Sequence, residues 1–78
     1  MSVAEAFGDF AEVLAAMAPD KVTELRAPAA MSERVEELVN KKKSDQLTEE
    51  EAIELERYLS LDLLITLAKA RAKNMLAA

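Results

Sequence analysis

From Leu47 to Leu76 the apolar positions recur with a helical period and sort onto two faces. At about 100° per residue, Ala52, Leu55, Leu59, Leu63, Leu67 and Ala70 share one side. Tyr58, Leu61, Ile65, Ala68, Ala72 and Met75 fall nearly opposite in strict 3-4 spacing, with a polar strip of Asp62, Thr66, Lys69 and Lys73 between the two. The start is marked by a capping box: the Thr48 hydroxyl can accept from the Glu51 amide while the Glu51 carboxylate reaches back to Thr48. Leu47 stands where a hydrophobic staple begins, with Ala52 as a small partner. Glu49, Glu50 and Glu51 in the first turn, and Lys69, Arg71 and Lys73 toward the far end, suit the helix dipole. Neither glycine nor proline interrupts the run. The pattern predicts one helix over residues 48–76, roughly 45 Å long at about 1.5 Å per residue.

The preceding residues read as shorter elements. Residues 2–18 carry a second capping-box pair, Ser2 and Glu5, and a stripe of Val3, Phe7, Phe10, Leu14 and Met17 widened by Ala6 and Val13. They predict an N-terminal helix whose two phenylalanines anchor a core, or serve as secondary anchors on a partner. Gly8, the only glycine, lies inside that helix, where it costs roughly 1 kcal/mol relative to alanine. Close approach of another helix and an unoptimised exposed position both account for it. Pro19 ends the helix and suits the first position of another, with Asp20 behind it. Pro19 to Arg26 reads as a short helix presenting Val22 and Leu25, within a proline-bounded connector over 19–28. Residues 29–43 form the next helix, starting at Pro28 or at Ser32. Met31, Val35, Leu38 and Val39 line one side, and Lys41, Lys42 and Lys43 close its C-terminus. The short link Ser44-Asp45-Gln46 predicts an antiparallel hairpin in which Met31, Val35, Leu38 and Val39 cover Ala52, Leu55, Leu59 and Leu63. No alternating strand pattern competes. The expected fold is all-α: a single helical domain over residues 1–78, with a hairpin at its centre, a shorter N-terminal helix packed on it, and an oligomeric bundle as its assembly.

Composition narrows the chemistry. A chain of 78 residues buries a modest fraction of its surface, and such chains often gain stability by association. There is no cysteine and no histidine, so neither a disulfide nor a thiolate or imidazole metal ligand exists. Di-metal sites in bundles take glutamates with Glu-x-x-His pairs; here the glutamates Glu49, Glu50, Glu51, Glu54 and Glu56 gather at the polar start of the long helix as a solvated cap. One glycine cannot build a phosphate loop, and no serine–lysine pair lies on a pocket-forming surface. Neither catalysis, a metal, nor a cofactor is expected. A net charge of −5 and the lack of a basic recognition face argue against direct nucleic-acid binding. No run of about twenty apolar residues suggests a membrane span, and no basic region precedes an apolar run at the N-terminus, so a cytoplasmic location is expected.

Three segments carry a resemblance: SERVEELVNKKK, DQLTEEEAIELERYL and LITLAKARA. Together, from Phe10 to Ala72, they resemble small bacterial helical proteins in which a Leu- and Glu-rich helix leads through L-T-x-E-E to a long helix ending L-x-K-A-R-A. That group is similar to accessory proteins encoded beside nucleases, some of them antitoxin-like, and the resemblance implies a protein partner. The residues themselves imply the same through the face of the long helix that lacks cover. The expected function is a non-enzymatic accessory or regulatory subunit that docks through Tyr58, Leu61, Ile65, Ala68, Ala72 and Met75, with Phe7 and Phe10 as secondary anchors. Two further readings stand beside it: an antitoxin-like neutraliser of a nuclease or other toxin, and a purely structural homo-oligomeric bundle.

Overall fold

The computed structural model describes residues 2–78. Helices account for 82% of the described residues, and no strand occurs among them, so the fold is all-α. The elements are α1 (Val3–Met17), α2 (Pro19–Val22), α3 (Ala29–Lys43) and α4 (Glu49–Ala77). The chain forms two compact units: one holds the residues up to Arg26 with Asp62–Ala78, the other Ala27–Leu61. Helix α4 runs through both.

In the second unit α3 returns against the first half of α4. Helix α3 begins directly after Pro28, whose carbonyl accepts from the Met31 and Ser32 amides, so Ser32 lies in the first turn and does not cap it. Its end is a Schellman motif: the Gln46 amide donates to the Lys41 carbonyl at 2.8 Å and the Asp45 amide to the Lys42 carbonyl at 3.2 Å. The motif needs a left-handed residue after the cap, and Asp45 supplies it at φ 58°. Asparagine and aspartate tolerate that conformation better than other residues with a side chain. Two residues on, the Thr48–Glu51 capping box closes in both directions, each bond at 3.1 Å. The buried apolar residues of this unit are Leu38 and Leu55, with Met31, Val35 and Val39 half-buried. The cover over α4 is therefore narrower than the hairpin pattern predicts. Of Ala52, Leu55 and Leu59, only Leu55 is buried, because Leu38 is the one α3 side chain fully withdrawn from solvent.

The first unit packs α1 and α2 with the second half of α4. Its core is Ala11, Ala15, Val22, Ala68 and Ala72, flanked by Leu64 and Leu67. This overturns the expected orientation of α1. The stripe Val3, Phe10, Leu14 and Met17 does not anchor the core; those side chains are exposed, and the alanine side of the helix faces inward. The reason is geometric. Ala4, Gly8, Ala11, Ala15 and Ala18 form their own 4-3-4-3 row, and a row of small residues lets two helices approach closely through their backbones. Gly8, in the same row, lies under the Arg71 side chain: a methyl group there would meet Arg71 Nη2 at 3.3 Å. The neighbour is the end of a flexible side chain, so the position favours glycine without demanding it. Leu63, expected under the hairpin, belongs to this unit and is exposed. Helix α2 is also shorter than the expected Pro19–Arg26 segment. After Val22 the Glu24 and Leu25 amides bond three residues back, a tighter turn that ends the helix and leaves Leu25 exposed while Val22 is buried.

The inward alanines make a sharp expectation. Ala11→Leu inserts bulk where no space exists and should destabilise by about 1–3 kcal/mol. Phe10→Ser, at an exposed site, should stay within about 0.5 kcal/mol of the parent. Urea titration followed by circular dichroism measures both, and the opposite ranking would reverse the orientation of α1. At the α3 end, Asp45→Gly relieves the left-handed backbone and should stabilise by about 0.5–1 kcal/mol, a rise in Tm of several degrees.

Candidate interaction surface and its supports

The first side chain to place is Phe10. Ser2 caps α1, its hydroxyl accepting from the Glu5 amide at 3.1 Å, and this sets the helix going from Val3. With the alanine row turned inward, the arc of large residues must face solvent. Val3 is 74% exposed, Phe10 66%, Val13 59% and Met17 77%. With the half-buried Ala6 they follow a 3-4-3-4 progression, the spacing of a helix-pairing seam. Two shallow depressions lie along it. One, of about 250 Å³, is lined by Ala6, Asp9, Phe10 and Val13; the other, of about 220 Å³, by Val3, Ala6, Phe7 and Phe10. Among the described residues Asp9 is the one charged residue lining either of them. Single exposed apolar residues are ordinary on protein surfaces, but a contiguous stripe marks a docking surface far more often.

The α4 residues proposed from sequence are not brought together on one open face. Ala68 and Ala72 are fully buried in the core with Ala11 and Ala15, so they are unavailable to a partner. Ile65 and Tyr58 are half-buried, and Leu61 and Met75 are exposed. Of the two secondary anchors, Phe7 is half-buried and Phe10 stands out into solvent. The face that the 3-4 spacing singled out on α4 is thus partly the seat of α1, and the open stripe belongs to α1 itself. Val13 and Met17 complete that stripe. Both were visible in the sequence, but as members of an expected core.

Electrostatics concentrate in the other unit, across the α3–α4 pair. Arg34 grips Glu54 with two hydrogen bonds, Nε to Oε2 at 2.8 Å and Nη2 to Oε1 at 2.9 Å. Its Nη1 pairs with Glu37 at 3.0 Å, and its Nη2 lies 3.6 Å from Glu51. Lys41 Nζ donates to Glu51 Oε2 at 2.6 Å. Glu51, with only 14% of its side chain exposed, therefore serves the capping box and the cross-helix pairs together. The Lys41 hydrogen bond, then the Thr48 amide, hold its carboxyl well below the usual range, at about 2. Hydrogen bonds from Arg34 lower Glu54 as well, and the same contact raises Arg34 above its already high value. The Thr48–Glu51 box is legible in the sequence, but there Glu54 reads as part of a solvated cap and Lys41 as a cation at the α3 C-terminus, and nothing singles out Arg34. The antiparallel hairpin it predicted already brings 34 toward 54 and 41 toward 51.

Among the described residues no group of three or more acidic side chains is arranged to hold a metal ion, and no helix is long and apolar enough to cross a membrane. Comparison with family models, curated proteins and solved structures found no match. The likeness carried by the SERVEELVNKKK, DQLTEEEAIELERYL and LITLAKARA segments thus rests on those three segments alone, and the surface must be read from its own chemistry.

The ion pairs predict acid lability with a definite sign. Glu51 binds its proton less readily folded, at about 2, than at its ordinary value of 4.5. Its stabilisation is present in full above about pH 4.5 and is lost as pH falls toward 2. Amide protection factors in α3 should therefore fall between pH 4.5 and 2, and Glu51→Gln should flatten that dependence. Equal α3 protection at pH 6 and pH 2.5 would show that the pairs add nothing.

Proposed function

We propose that this chain is a protein–protein interaction module, an accessory subunit that docks through the outer face of α1. One observation carries the reading: α1 buries alanines and exposes Val3, Phe10, Val13 and Met17. Burying a large apolar side chain is worth about 1.5–3 kcal/mol and an alanine methyl about 0.8 kcal/mol. A sequence selected only for its own stability would turn α1 the other way. The inverted helix leaves most of its apolar free energy to be realised on association. The residues that would contribute most are Phe10 and Met17, the aromatic and the flexible thioether that suit hot spots and adaptable surfaces. Helix-in-groove and helix-on-helix recognition both use such i, i+3, i+7 anchors.

The reading is tested by site-specific crosslinking in the cells that make the protein. A benzoylphenylalanine at Phe10 should give discrete protein adducts on irradiation, and the same group at Glu33, on the exposed side of α3, should give none. Absence of adducts at Phe10, or equal yields at both sites, would remove α1 as the docking face.

A further inference from the structure

The α1 stripe also carries information about what it docks. Written as a heptad, Val3, Phe10 and Met17 occupy a, and Ala6 and Val13 occupy d. Phe7 and Leu14 flank the seam at e, and Ser2, Asp9 and Ala16 flank it at g. From Ser2 to Ala18 there are three charged residues, Glu5, Asp9 and Glu12, and all are acidic. Glu12 shares a small surface depression with Arg71, which offers it a cation from α4. Glu5 and Asp9 have no basic residue on their own helix, and Asp9 lines the seam beside Phe10 and Val13.

A second copy of this chain fits that seam poorly. Paired antiparallel it sets g against g, carboxylate against carboxylate at Asp9; paired parallel it sets Asp9 against Leu14 at e, and neither arrangement gives that carboxylate a cation. A helix with an apolar seam edged by cations turns Asp9 into an attractive flank and has no carboxylate of its own to set against it. At 15 residues α1 is roughly 22 Å long, room for a partner helix of about two heptads. We infer that the α1 stripe binds an amphipathic helix of another protein whose apolar seam is edged by lysine or arginine. The inference rests on the reading of α1 as the docking face and adds the chemistry of what lies on it.

The test uses the full chain and two synthetic 18-residue helices that share one leucine–alanine seam. One has lysine at e and g, the other glutamate. Fluorescence anisotropy of the labelled peptides gives the affinities, and sedimentation of the chain alone gives its own assembly state. The lysine peptide should bind at least about tenfold more tightly than the glutamate peptide, with the ratio shrinking in 0.5 M salt. Asp9→Asn should weaken the lysine peptide several-fold, and Phe10→Ser should abolish binding while leaving the circular dichroism spectrum unchanged. Equal affinities for the two peptides, or no binding of either, would overturn the inference. So would a dimer of the chain that Phe10→Ser dissociates, since a second copy would then cover the stripe, or vesicle binding that depends on Phe10, since a lipid surface would. Each of those results leaves a productive Phe10 crosslink standing; loss of the crosslink removes the docking face itself.

Discussion

The structure depends on a contact made of very small side chains. Ala11 and Ala15 of α1 and Ala68 and Ala72 of α4 are completely buried, and with Val22 they constitute the core of their unit. Small residues permit close backbone approach, and close approach fixes which side of α1 is inside. Val3, Phe10, Val13, Leu14 and Met17 are then outside, and only Phe7 of the large apolar side chains on α1 is half-buried. The same contact consumes the part of α4 that would otherwise lie open, which is why α4 does not present one continuous docking face. A methyl-lined interface is specific in geometry but modest in energy, because each alanine removes little surface from water.

Much of this could be read along the chain, and the failure on α1 has a definite cause. Periodicity shows which residues share a face. It does not say which of two adjacent apolar faces a neighbouring helix will choose. Weighting by size favours Phe7, Phe10, Leu14 and Met17, and size was the wrong weight. The corrective signal was present: Gly8 stands in register with Ala4, Ala11, Ala15 and Ala18, and Ala68 and Ala72 repeat at i, i+4 on α4. Two small-residue rows of matching spacing describe a close-packed pair better than a stripe facing nothing of comparable size. The helix ends were legible for the opposite reason. Ser2 and Thr48 act on amides within their own turn, so local sequence contains the whole interaction.

Between these extremes lies the α3–α4 pair. Its capping box was local and therefore visible. Its ion pairs connect residues ten and twenty positions apart and require the hairpin register before they can be named. Asp45 belongs here too. Without glycine after Lys43, the sequence gives little warning of a Schellman turn. Aspartate enters the left-handed region at modest cost, and the Gln46 and Asp45 amides recover that cost by satisfying the Lys41 and Lys42 carbonyls. The link of α3 to α4 is thus set by backbone hydrogen bonds, and the charged pairs then hold the register it creates.

The two units consequently depend on different things. The α3–α4 pair joins segments close in sequence, through a five-residue link and short-range ion pairs, so closing it costs little chain entropy. The α1–α4 contact joins segments as far apart as Gly8 and Arg71, whose Nε meets the Gly8 carbonyl at a long 3.4 Å. It closes a large loop on an alanine core. Of the helices longer than one turn, α1 therefore has the weakest internal claim to its place, and it also carries the exposed stripe. A partner bound to that stripe only when α1 is docked would stabilise the docked state by mass action, in proportion to the logarithm of its concentration over Kd. The thin core and the open stripe are one property: the large apolar side chains that α1 does not bury against its own chain are the ones it leaves exposed.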